Sequence, residues 1–273
     1  MSKQLPPPAD IRGHYNDLLK EVNGEYIRRR WGEHEIARRH FRQTHLAISY
    51  SLEVRGEPGD VLEIGCGPAV WTTLFLPSAR SVHLADISEE MLREARARIE
   101  KFDDGRHAGK VRYSCGDFLE LDLPKESFDT VLSARAFEYM SDKQAFVSKC
   151  ATLLRPGGML VLITKNRTWH DSLKATHSHV GKAAAEVPVG TAMQLDLVDW
   201  EQAQAMFKRA GLSHYGAFPV ALGSYEVNAL ASKPALAVVD ALHRSLYRQK
   251  LGVATNWLSR IMESFLVIGK KPS

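Results

Sequence analysis

Val61-Leu62-Glu63-Ile64-Gly65-Cys66-Gly67 is the stretch on which the fold turns. Three apolar positions and one acid run straight into Gly-x-Gly. The pattern predicts a buried strand ending in a turn where the backbone closes on a ligand, because glycine leaves that space free. Pro68 then opens Pro68 to Leu76, which reads as the start of a helix. The usual dinucleotide fingerprint is broken here, since its third glycine would fall at Val70. Glu63, two residues before the first glycine, would repel a pyrophosphate and favour an ammonium or sulfonium group.

Two more acids lie at strand ends further along. Ser81 to Asp86 is a short apolar run closing in a carboxylate, at the place in a strand–helix–strand unit where a carboxylate accepts hydrogen bonds from ribose hydroxyls. Val111 to Cys115 leads into Gly116-Asp117-Phe118, an acid and an aromatic ring suited to the amino group and the face of adenine. The alternation continues, with strands expected at 128–133, 158–164, 213–218 and 264–269. Helices are expected at 88–101, 141–154 and 199–210. Ser88 reads as an N-cap, with Met91, Leu92, Ala95 and Ile99 as the inward stripe behind it. Such alternation implies an α/β fold, a parallel sheet with helices on both faces. Residues 10 to about 52 read as helix in two pieces, broken near Asn23-Gly24.

With these motifs assembled, the chain resembles the class I S-adenosylmethionine-dependent methyltransferases of the small-molecule type. The resemblance rests on Leu62-Glu63-Ile64-Gly65-Cys66-Gly67, on Ala85 to Leu92, on Gly116-Asp117-Phe118, on Ser127 to Val131 and on Leu154-Arg155-Pro156-Gly157-Gly158. It covers roughly residues 55 to 165. It implies a Rossmann-like, seven-stranded, mostly parallel sheet with an antiparallel last strand, plus a helical cap. It also implies S-adenosyl-L-methionine as cofactor, leaving as S-adenosyl-L-homocysteine. Glu63, Gly65, Cys66 and Gly67 would then serve the methionine end, Asp86 the ribose, Ile87, Met91, Asp117 and Phe118 the adenine, and Ala134 the methionine end from strand four. The family commonly has a further glycine where Ala69 stands.

Bulk properties narrow the setting. Of 273 residues, 44% are hydrophobic and 25% charged, as in ordinary globular proteins. No apolar run is long enough for a transmembrane helix. Met1 to Asp10 has three prolines and no apolar core, so it reads as a disordered lead-in rather than a secretory signal. Three cysteines without metal-type spacing suggest reduced thiols in a cytoplasmic protein, with no metal. The formal charge of +4 is mild for a dedicated nucleic-acid binder, so nucleic acid is not the expected partner. The first fifty residues carry nine lysines and arginines against six acids, which leaves room for peripheral contact with an anionic surface.

Methyl transfer from a sulfonium asks first for alignment, and for a base only when the acceptor is protonated. Glu138, Tyr139 and His170 are the catalytic candidates. Tyr139 stands where relatives often carry histidine. His177 and His179 form a His-x-His pair without the carboxylates a metal site would bring. Residues 1–52 read as an N-terminal helical lid on a core at 53–273, with cap insertions at about 165–198 and 220–261. Trp31, His34, Arg38, Phe41 and His45 follow helical spacing on one face; Tyr15, Trp31, His34 and Arg38 are the lid candidates for contact with a substrate. The expected activity is methyl transfer to an oxygen or nitrogen of a small organic molecule. A lipid head group, RNA or protein acceptor, or a non-catalytic cofactor-binding protein, remains the alternative.

Overall fold

The computed structural model describes residues 7–22, 25–32, 35–171, 195–221, 241, 244–245 and 262–273. The sheet is built from β1 (Asp60–Ile64), β2 (Ser81–Asp86), β3 (Val111–Cys115), β4 (Phe128–Ala134), β5 (Leu154–Lys165), β6 (Ser213–Ala221) and β7 (Ser264–Lys270). Their order across the sheet is β3-β2-β1-β4-β5-β7-β6. Neighbours from β3 to β5 are parallel, and β7 lies antiparallel between β5 and β6. This is the mixed seven-stranded sheet expected from the motifs.

The strands read as near-continuous apolar runs because both faces of the sheet are covered. Val61, Val82, Leu84, Val161, Ile163, Leu266 and Ile268 pack on one face. Leu62, Ile64, Val131, Leu160, Leu162, Phe265 and Val267 pack on the other. The first layer meets α2 (Glu35–Arg55) through Ala47 and Ile48, and α3 (Glu89–Lys101) through Leu92, Ala95 and Ile99. The second meets α4 (Lys143–Leu153) through Phe146, Val147 and Cys150, and α5 (Trp200–Arg209) through Trp200, Ala203 and Phe207. Ser88 caps α3 as expected, its hydroxyl accepting from the Met91 amide at 3.1 Å.

Four local expectations are corrected. Pro68 to Leu76 is not an α-helix; it is a run of turns around a 3-10 turn at Thr72–Leu74. Ala69 sits at φ 55°, a left-handed conformation no helix can pass through, and β-branched Val70, Thr72 and Thr73 add little helical preference. The lead-in ends sooner than Asp10, because α1 (Pro8–Val22) begins with Pro8 in its first turn. The N-terminal helical region carries a third piece, a π turn at Arg28–Gly32, so Trp31 does not share a helix with Arg38, Phe41 and His45. Residues 155–158 loop out between the paired Leu154 and Met159, so β5 begins before the expected turn rather than after it.

The chain runs from β1 outward to β3, then returns to lay β4 on the other side of β1. The carboxyl ends of β1 and β4 therefore flank the switch point where open α/β sheets bind ligands. Over this point lies α1, tied to the β2 exit by Arg12 Nε donating to the Ile87 carbonyl at 3.1 Å and by Ser88 Oγ donating to Asn16 Oδ1 at 2.6 Å.

α5 is fastened by a reciprocal capping box between Asp199 and Gln202. Asp199→Ala should lower stability by about 1 kcal/mol, the usual worth of such a cap. Urea unfolding followed by circular dichroism measures it; an unchanged midpoint would dismiss the cap.

Candidate active site

One cavity opens at the switch point, floored by strand ends and roofed by α1 and the π turn. Its floor holds Gly65, Cys66, Gly67, Asp86, Ile87 and Met91, together with Asp117, Phe118 and Ala134. Nine of the ten cofactor candidates thus line a single space. The tenth, Glu63, lies one layer below it, 1% exposed. Glu138 and Tyr139 line the cavity, as do the lid candidates Tyr15 and Trp31. Arg38 does not; it donates to the Gly32 carbonyl at 2.6 Å. His170 is also absent from the lining, and His34, His177 and His179 lie outside the described residues. So do most of the segments expected as cap insertions, including the helices read at 224–261.

The glycine turn is shaped by two different demands. Gly65 has φ 66°, and a Cβ placed there would come within 2.2 Å of the Ala136 Cβ, so the end of β4 fills the space. Gly67, at φ 51°, meets nothing nearer than the Met91 sulfur at 4.0 Å; its missing side chain leaves the cavity floor open. Asp86 holds the turn in place. Its Oδ2 accepts from the Gly67 amide at 2.8 Å and its Oδ1 from the Ser88 amide at 2.9 Å. Each carboxylate oxygen has a further lone pair, so Asp86 can still accept from a ligand hydroxyl. Asp117 accepts from the Leu119 amide at 3.0 Å, an Asx turn that sets the carboxylate at the rim.

Burial governs the charges on this side. It raises the Asp86 carboxyl above its ordinary value, against the pull of three backbone amides. Glu63 is pushed up to about 8 by burial, partly offset by the hydrogen bond from the Thr72 hydroxyl and reinforced by the negative Asp86. The acid that the sequence suggests for ligand contact therefore works underneath the turn, fastening Thr72.

The other half of the cavity has opposite character. Arg30, Arg135 and Lys165 line it, with Glu138 among them. Glu138 is 1% exposed; its Oε1 accepts from the Lys165 amide at 3.0 Å and lies 3.6 Å from Arg135 Nε, while its Oε2 is buried without a hydrogen-bond partner. Arg135 stands at φ 67°, a strained conformation for a side-chain-bearing residue, which turns the chain at the end of β4. Tyr15 and Tyr139 meet edge to face at 5.8 Å and are joined through their hydroxyls, and burial raises both phenols. Burial and the nearby Arg135 bring Lys165 down to about 8. His170 is pushed down to about 4 by burial and by Lys165, so its imidazole is neutral and only weakly basic near pH 7.

Tyr26, Arg30 and Lys165 are site residues that the sequence reading missed. Lys165 carried no signal beyond being a charged residue at the expected end of a strand. Arg30 was lost in a run of three arginines, which most often reads as a solvated face.

Residues 61–158 match a family model described as a methyltransferase domain. A probable S-adenosylmethionine-dependent methyltransferase of Mycolicibacterium smegmatis is 35% identical over 45% of this chain and 44% of its own length. A ubiquinone biosynthesis O-methyltransferase of a Bradyrhizobium species is 35% identical over 40% of this chain and 41% of its own. The chain thus spans less than half the length of these two curated relatives. The solved structure of the N-methyltransferase NodS from Bradyrhizobium japonicum, in complex with S-adenosyl-L-homocysteine, superposes with a TM-score of 0.58 at 15% identity, covering 95% of this chain and 99% of NodS. At that identity the likeness is one of fold. Residues 61–158 thus carry a methyltransferase domain of the S-adenosylmethionine-dependent kind.

Two outcomes follow from the turn. Gly65→Ala should cost about 1–3 kcal/mol, the range for overpacking, because the added methyl must displace Ala136 and residue 65 must hold a left-handed backbone without glycine. A thermal melt within error of wild type would contradict that packing. Glu63, whose folded pKa lies above its unfolded value near 4.5, binds more protons folded than unfolded between about pH 4.5 and 8. Its contribution to stability is therefore full at low pH and is lost as pH rises through 8. Urea midpoints at pH 5 and pH 8 should diverge more in wild type than in Glu63→Gln; equal divergence would assign the titration to another group.

Proposed function

We propose that the chain transfers a methyl group from S-adenosylmethionine to an oxygen or nitrogen of a small organic molecule. The observation that carries this reading is the single roofed cavity in which the Gly65–Gly67 turn, Asp86 and Asp117 meet a second, differently charged half. The chemistry of the floor fits the cofactor. Its two carboxylates suit the hydroxyls of a ribose and the amino group of an adenine, and the open face of Gly67 leaves backbone accessible beside them. When bound, S-adenosylmethionine supplies a methyl carbon already activated by the sulfonium charge.

In the displacement, an acceptor lone pair forms the new bond to carbon as the carbon–sulfur electron pair returns to sulfur, and any acceptor proton passes to a base. The chain's residues act on alignment and on that proton. α1 and the π turn, through Ile11, Tyr15 and Trp31, with Tyr26 between them, roof the cavity and restrict the acceptor's approach. We assign this lid role to α1 and the π turn; α2, the rest of the region read as a lid, packs on the sheet instead. The unpartnered Oε2 of Glu138 is the acceptor-side oxygen best placed to take a proton or hold a donor group, and the Tyr15–Tyr139 pair can orient an acceptor hydroxyl. His170 is not among the residues lining the cavity, and we assign it no part in this step.

The enclosed roof favours a small molecule over a polymer. The names of two relatives, one an O-methyltransferase and one an N-methyltransferase, support oxygen or nitrogen as the atom modified.

Asp86→Ala should weaken S-adenosylhomocysteine binding by roughly 1.5–3 kcal/mol, the scale of a hydrogen bond to a charged group; unchanged calorimetric affinity would remove Asp86 from the ribose. Glu138→Gln should slow turnover while leaving cofactor affinity intact. The acceptor can be sought with methyl-labelled S-adenosylmethionine and a fractionated cell extract. Label among small aqueous compounds is expected, and label confined to lipid, RNA or protein would overturn the reading.

A further inference from the structure

The cavity is divided by charge. Asp86 and Asp117 stand at the ends of β2 and after β3, whereas Arg30, Arg135 and Lys165 gather over the ends of β4 and β5. Two carboxylates answer those three cations. Glu138 lies beside Arg135, and Glu263, next to β7, is held below its ordinary value because His40, Arg135, Lys165 and His170 together outweigh the upward push of burial. Glu263 itself contacts His40, with 3.2 Å between Oε2 and Nε2. Among the described residues, three cations against two carboxylates leave an excess of one positive charge at this end.

Of the three cations, Lys165 is the one whose donor is left open. Arg135 is paired with Glu138, and Arg30 donates to the Tyr26 hydroxyl and lies 4.8 Å over the Trp31 ring. Among the described residues no acceptor is within hydrogen-bond distance of the Lys165 ammonium, and its side chain lines the cavity. A desolvated ammonium that faces a cavity without a partner is a binding site for an anion. Four aromatic side chains, Tyr15, Tyr26, Trp31 and Tyr139, line the same cavity. Such a lining accepts a flat ring.

We propose that the methyl acceptor is a flat, ring-bearing monocarboxylic acid whose carboxylate is bound by Lys165. The proposal rests on the methyltransferase reading and specifies its substrate class. A single excess charge matches a monoanion better than a phosphate dianion, and it opposes a cationic amine. Holding the carboxylate at β5 sets the remainder of the ring toward Glu138 and the middle of the cavity. Lys165 would then select the acceptor by charge and take no part in the proton transfer.

The charged groups that act on Lys165 are Arg30, Arg135, Glu138 and Glu263, and Lys165 in turn acts on His170. The two arginines and burial lower its proton affinity, and the two carboxylates raise it. Binding of an anion adds a further raising influence, so binding near pH 8 should draw in a fraction of a proton, up to about one half.

The test uses the full chain saturated with S-adenosylhomocysteine, and titrates it with 4-hydroxybenzoate and with neutral 4-hydroxybenzamide. Calorimetry is run at pH 8 in two buffers of different ionisation heat. Expected are at least about tenfold tighter binding of the acid, proton uptake with the acid alone, and loss of both in Lys165→Met with S-adenosylhomocysteine affinity retained. Lys165→Arg should keep the preference for the acid but show no proton uptake. Equal affinity for acid and amide, binding of neither, or a preference that survives Lys165→Met overturns the proposal. A Lys165→Met protein that loses S-adenosylhomocysteine affinity instead overturns it by assigning the lysine to the cofactor's own carboxylate. Failure of wild-type protein to bind S-adenosylhomocysteine at all would defeat the methyltransferase reading itself, a distinct result.

Discussion

The hydrogen bond from the Gly67 amide to the Asp86 carboxylate is the contact on which the rest of the site depends. It joins the turn after β1 to the end of β2, and the same carboxylate receives the Ser88 amide that starts α3. Ser88 in turn reaches Asn16 on α1. One buried acid thus ties the glycine turn, the helix behind it and the roof above it. Its charge is tolerable at that depth because three backbone donors offset the loss of water. The opposite side of the turn is fixed sterically, by Ala136 lying where a Gly65 side chain would be.

The two halves of the cavity use burial differently. Under the glycine turn, burial stores acids: Glu63 is raised to about 8 and Asp86 is raised as well. A cationic ligand above them would favour their ionised forms and be favoured in return. At the far end, burial works on bases, lowering Lys165 and His170. The cavity therefore presents a gradient from acid to base along its length. Such a field can orient a ligand pair of opposite character before any group makes contact.

Much of the fold was legible in the sequence because its signals are local. The Gly-x-Gly turn, the Ser88 cap with its Met91, Leu92, Ala95 and Ile99 stripe, and the strand–helix alternation each follow from neighbouring residues and all agree with the sheet. The strand-end acids were readable for the same reason, since topology puts every parallel strand's carboxyl end on one rim. Where the reading failed, a tertiary contact overrode a local preference. Pro68 promised a helix, yet Thr72 is drawn down to Glu63 and Ala69 is forced left-handed. Trp31 seemed to share a helical stripe with Arg38, yet it meets Phe41 and Trp71 edge to face, at 5.9 and 5.7 Å.

The sequence by itself determined the class of fold, the strand ends that bear carboxylates and the turn that must be glycine, because backbone conformation and side-chain periodicity are properties of short segments. Only the tertiary structure decided that Glu63 lies beneath the cavity while Glu138 faces into it. It alone brought Arg30, Arg135 and Lys165, far apart along the chain, to one end of a shared space. Charge acts through distance and burial, and neither is written in the order of the residues.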